Sequence, residues 1–138
     1  MARYIVDSQM ENHEKYYFIR ELESQDIVLL PTKYLMHKKR SRLSPNTIRR
    51  SAGAISYYLN YLDEYSLRLD DIWEMKYDKQ QEHFTDYLIW LQAGLHSGDN
   101  LKKNPCNETC NAYLKEVFRF YGFAGRQDEP AKQLKVLS

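Results

Sequence analysis

Cysteine is nearly missing from this 138-residue chain, which holds only Cys106 and Cys110. Two thiols four positions apart make no disulfide framework. Zinc would need four ligands, and the nearest histidine is His96. We read the pair as reduced, small, half-buried side chains. Glycine (five) and proline (four) are also sparse. No glycine-rich phosphate loop, nucleophile elbow or metal-ligand cluster is spelled out, so no cofactor, metal or small-molecule substrate is implied. No apolar run is long enough to span a bilayer and no signal peptide is evident. The expectation is a cytoplasmic protein without a membrane partner. Net charge is only +1, which argues against a uniformly basic nucleic-acid protein.

The content that is present suits one folded domain. A chain of this length buries about two-thirds of its unfolded surface and needs no staple. Twelve tyrosines supply large amphipathic surface. Charge is segregated. Residues 37–50 carry Lys38, Lys39, Arg40, Arg42, Arg49 and Arg50 with no acid, whereas 63–86 is mostly acidic, with Asp63, Glu64, Asp70, Asp71, Glu74, Asp78, Glu82 and Asp86. One face for an anionic partner and another turned away from it would produce this pattern.

The clearest element follows the basic run. Ser44 reads as an N-cap and Pro45 as the first helical residue. Ile48, Ala52, Ile55, Leu59 and Leu62 then fall on one stripe of a helix over 45–64. Its outer face carries Asn46, Arg50, Gly53 and Tyr57, flanked by Arg49 and Asn60. A helix-interior glycine costs about 1 kcal/mol relative to alanine; either the cost is tolerated or something large approaches the backbone at Gly53.

Around it the chain divides into an N-terminal arm (1–30), a helical body (31–125) and a linker or tail (126–138). In the arm, Tyr4-Ile5-Val6 and Tyr16-Tyr17-Phe18-Ile19 are β-prone and either pair as a hairpin or stay mobile. A short helix starts near Pro31 with Tyr34, Leu35 and Met36 inward. Residues 66–78 form a connection pinned by Leu67, Leu69, Ile72 and Trp73. A helix over 79–93 turns Phe84, Tyr87, Leu88 and Leu91 inward and Ile89 outward, with Gly94 as its left-handed cap. After a polar loop holding Lys102 and Lys103, Asn107 caps a last helix to Phe123, closed by Gly122 and Gly125. Its inward stripe is Cys110, Leu114, Val117, Phe118 and Tyr121. Both basic segments precede helix N-termini, where the dipole and free N–H groups favour phosphate. Ser44, Asn46, Thr47, Asn107, Thr109 and Asn111 can donate to phosphates or read base edges. Capping and a solvated charge run account for the same residues without any ligand.

The spacing of Lys33-Tyr34-Leu35, of Leu43-Ser44-Pro45-Asn46-Thr47-Ile48 and of Ile55-x-x-Tyr58-Leu59-x-x-Leu62 resembles the N-terminal core-binding domain of tyrosine recombinases, the phage integrase family. Phe84-x-x-Tyr87-Leu88-x-x-Leu91 and Thr109-x-Asn111-x-x-Leu114-x-x-Val117-x-x-Phe120-Tyr121 continue the likeness, which covers about residues 31–123. Ser51 departs from it, since many members carry an aromatic residue there. The resemblance implies an all-α, four-helix SAM-like bundle with an irregular or β-hairpin arm. Its second and fourth helices would face the major groove of double-stranded DNA, with other recombinase protomers as further partners. Lys38, Lys39, Arg40, Arg42, Ser44, Asn46, Thr47, Arg49, Arg50, Tyr57, Lys102, Lys103, Asn107, Thr109 and Asn111 are the expected DNA-binding residues. The family's catalytic Arg, Lys, His-x-x-Arg and Tyr set belongs to a second domain. His37-Lys38-Lys39-Arg40 spells His-x-x-Arg ahead of the Ser44 cap, too early for that role, so this chain is expected not to be an enzyme by itself.

Overall fold

The computed structural model describes residues 3–97 and 105–137. The fold is mostly helical, with one two-stranded antiparallel sheet. The arm is a hairpin of β1 (Tyr4–Glu11) and β2 (Glu14–Glu21), longer than the two β-prone runs. Glu11 pairs with Glu14 across a two-residue turn. Asn12 and His13 both take positive φ (51° and 67°), the geometry of a primed turn whose twist matches the strands. The hairpin is docked. Ile19 is fully buried in a cluster with Tyr34, Leu35, Ile48, Ile55 and Phe120. Asn60 holds its base: Oδ1 accepts from the N–H groups of Arg3 (2.9 Å) and Tyr4 (2.8 Å), and Nδ2 donates to the Tyr4 carbonyl (3.1 Å).

Helix α1 (Leu29–Arg40) begins two residues before Pro31, which sits in the first turn where its missing N–H is harmless. Helix α2 (Pro45–Glu64) follows the expected bounds. Ser44 Oγ accepts from Thr47 N–H at 3.2 Å, and the stripe from Ile48 to Leu62 is buried throughout. The connection after α2 contains a helix of its own, α3 (Leu69–Glu74), where Asp71 accepts from Arg68 N–H at 2.8 Å. Helix α4 (Tyr77–Gln92) starts two residues earlier than expected. Gly94 has φ 76°, the left-handed conformation anticipated for it. A 3-10 turn, Leu95–Ser97, follows.

Helix α5 (Asn107–Arg126) departs from expectation at both ends. Its N-cap is Cys106, in extended geometry, so Asn107 is already helical and its Oδ1 accepts from Gln92 Nε2 at 3.3 Å. Gly122 and Gly125 lie inside the helix. At Gly125 the missing side chain makes room for the returning tail: a Cβ there would run into the Lys132 carbonyl and come within 2.9 Å of the Trp73 ring. Lys132 N–H donates to the Gly125 carbonyl at 3.0 Å. The tail then packs. Leu134 joins the second buried cluster, with Tyr58, Leu62, Ile72, Tyr87 and Tyr121. Lys135 Nζ donates to the carbonyls of Trp73 (2.9 Å) and Met75 (2.7 Å). Helices α2 and α5 contribute to both clusters and form the centre of the molecule. Among the described residues no helix is long and apolar enough to cross a membrane.

Candidate functional site

The expected anion-binding residues divide by what they touch. Lys38 is held inside: its Nζ lies 3.3 Å from the Glu116 carboxylate and 5.1 Å from the centre of the Tyr34 ring. Lys39 lies 3.9 Å from Glu14 and 5.2 Å from the centre of the Tyr16 ring, so the hairpin engages it. Arg40, Arg42, Arg49 and Arg50 are exposed. Their guanidinium groups make no ion pair, hydrogen bond or ring contact among the described residues. Arg42 takes a left-handed φ of 63° where the chain turns from α1 into α2. Unlike the two lysines, these four arginines keep their charge available to solvent at one corner and along the first two turns of α2.

Part of that face is concave. A cleft of about 380 Å³ is lined by Asn46, Arg49, Arg50, Gly53 and Tyr57 of α2, Val6 of β1 and Tyr113 of α5. The Tyr57 ring packs edge-on against Tyr113 (5.3 Å between centres) and His96 (4.7 Å), which fixes one wall. Arg40 and Arg42 border a separate depression of about 660 Å³, with Lys39, Met36, Glu14 and Tyr16 around it.

The remaining expected residues lie elsewhere. The hydroxyls of Ser44 and Thr47 are 2.9 Å apart and cap α2. Thr109 is half-buried, 3.2 Å from Cys106 Sγ; its hydrogen bond lowers the Cys106 pKa. Asn107 and Asn111 are exposed on the first turns of α5 and line neither concavity. Lys102 and Lys103 fall outside the described residues. Val6 and Tyr113 were not anticipated at this site. Val6 arrives through the hairpin's docking and Tyr113 through the crossing of α5 over α2, and neither juxtaposition leaves a local signal in the sequence.

A third concavity, about 540 Å³, lies between the C-terminal half of α2 and α4, with Tyr61, Tyr65, Met75, Ile89, Trp90 and Leu95 in its lining. Ile89 is exposed, as the helix periodicity required. Among the described residues no group of three His, Cys, Asp or Glu is placed to hold a metal ion. No family model, no curated protein and no solved structure matches this chain.

Proposed function

We propose that this chain binds double-stranded DNA as the core-binding domain of a site-specific tyrosine recombinase of the phage integrase family, with α1, α2, α4 and α5 as its four-helix SAM-like bundle. The observation that carries this reading is the set Arg40, Arg42, Arg49 and Arg50, four exposed guanidiniums around the start of α2 that have no partner among the described residues. A phosphate backbone supplies the missing counter-charge in the geometry arginine suits. The N-terminus of α2 adds its dipole at the same place. Asn46, on the first turn, is suited to a base edge. In this reading the chain clamps one side of the duplex and performs no chemistry. The tyrosine nucleophile and arginine clamp belong to a catalytic domain of the parent protein, and further protomers assemble on the same DNA.

The test is fluorescence anisotropy of a labelled duplex across a salt series. Four phosphate contacts give a log–log slope of about −3 to −4, with a Kd of about 10⁻⁴ to 10⁻⁶ M at physiological salt for non-specific duplex. No binding, or binding indifferent to salt, overturns the proposal. A second reading, a protein-interaction bundle, draws on the exposed Tyr65, Ile89 and Leu95 of the third concavity; association through that surface would barely respond to salt.

A further inference from the structure

Gly53 lies in the interior of α2 with helical backbone. A Cβ at this position would meet no atom within 4 Å. Neither crowding from the described residues nor left-handed geometry calls for glycine, and alanine would favour the helix by about 1 kcal/mol. Gly125 is the opposite case, since the returning tail fills the space its side chain would occupy. Among the described residues nothing occupies the space above Gly53.

Gly53 lines the cleft between β1, α2 and α5. Its apolar lining is the Val6 isopropyl group and the rings of Tyr57 and Tyr113. Asn46, Arg49 and Arg50 supply its polar lining. Such a site fits an anionic ligand with a small apolar projection close to its charge. Resting on the DNA-binding reading above, the ligand part with that chemistry is a C5-methylated pyrimidine in the major groove. Its methyl group stands on the groove edge, with phosphates on either side.

We infer that the missing side chain at Gly53 admits a thymine methyl to the backbone of α2, seated among Val6, Tyr57 and Tyr113, while Arg49 and Arg50 take the flanking phosphates. The domain therefore distinguishes thymine from uracil at this point of contact.

The experiment uses the full chain and two fluorescein-labelled duplexes of equal length, alternating dA-dT and alternating dA-dU. Burial of one methyl group corresponds to about a fourfold preference for the dT duplex. Gly53→Ala should raise Tm by about 3 °C, yet bind the dT duplex more weakly and bring the preference close to one. Val6→Thr keeps the shape and replaces a methyl by a hydroxyl; it should lower the preference without changing the salt slope. Equal wild-type binding to the two duplexes overturns the inference and leaves DNA binding standing. A Gly53→Ala variant that keeps the fourfold preference, or melts below the wild type, overturns it too. If the wild type binds neither duplex, the DNA-binding proposal fails and this inference with it.

Discussion

The Nζ of Lys38 lies 3.3 Å from the Glu116 carboxylate, and the two side chains keep only 12% and 11% of their exposure. The same carboxylate accepts from the Tyr34 hydroxyl and lies 3.3 Å from Arg119. One buried acid thus ties α1 to α5 and neutralises part of the basic run. Glu116→Gln leaves Lys38 buried without its counter-charge and should cost about 3 kcal/mol. The contrast is Glu82→Gln, which breaks the exposed pair with Lys79 and should change stability by less than about 0.5 kcal/mol. Urea denaturation of both variants checks this; equal costs would mean that the buried pair is energetically idle.

Arg50 and Asn46 both line the cleft but should act differently on binding. Arg50→Ala is expected to weaken all duplexes alike and make the salt slope shallower by about one unit. Asn46→Ala should leave the slope unchanged and reduce discrimination between duplex sequences, by about tenfold or less at the position read. Anisotropy across salt on several duplexes separates the two. If Arg50→Ala leaves affinity and slope untouched while charge reversal among Asp63, Asp78 and Asp86 abolishes binding, the wrong face has been assigned.

His83 makes folding sensitive to acid. Burial lowers its pKa from the ordinary 6.5 to about 4, with Asp86 opposing the shift. Its Nε2 lies 2.9 Å from the Tyr58 hydroxyl, which is 2.6 Å from that of Tyr121. Above pH 6.5 the ring is neutral in both the folded and the unfolded chain. As pH falls below 6.5 the unfolded chain gains a proton that the folded one refuses. Stability therefore drops until the folded ring protonates near pH 4, a loss of about 2 to 3 kcal/mol. Urea midpoints at pH 7.5 and 4.5 should show His83→Gln losing less than the wild type by that amount. Identical losses would assign the acid sensitivity to other groups.

Gly125→Ala should destabilise, unlike the same change at Gly53. The added methyl group meets the Lys132 carbonyl and the Trp73 ring, so the tail must lift and Leu134 must leave its seat. The expected cost is about 1 to 3 kcal/mol, together with faster amide exchange at Lys132 and Val136. A neutral variant with unchanged exchange would show that the tail contributes little.

Helix α2 was legible because cap, proline and stripe all agree: Ser44, Pro45 and Ile48 through Leu62 each point to the same element. Gly94 was legible because a glycine after the last inward leucine has one common use. Gly125 was misread for the same reason. A helix-terminal glycine and one that admits a neighbouring carbonyl look alike until the tail is in place. The pairing of Lys38 with Glu116 and the walls Val6 and Tyr113 depend on segments distant in sequence. Periodicity says which way a residue points but not what it meets. The basic run therefore read as one surface, although its lysines are engaged and its arginines are not.

The docked hairpin also has a mechanical consequence. Its base is tied to Asn60 in the second half of α2, and Glu14 beside its turn meets Lys39 near the end of α1. Helices α1 and α2, linked by residues 41–44, already pack together through Tyr34, Leu35, Ile48 and Ile55. A third member spanning both helices makes a triangle, and a triangle cannot change its angles without stretching a side. The relative placement of Arg40 on α1 and Arg49 on α2 is thus set before any ligand arrives, and little ordering remains to be done on binding.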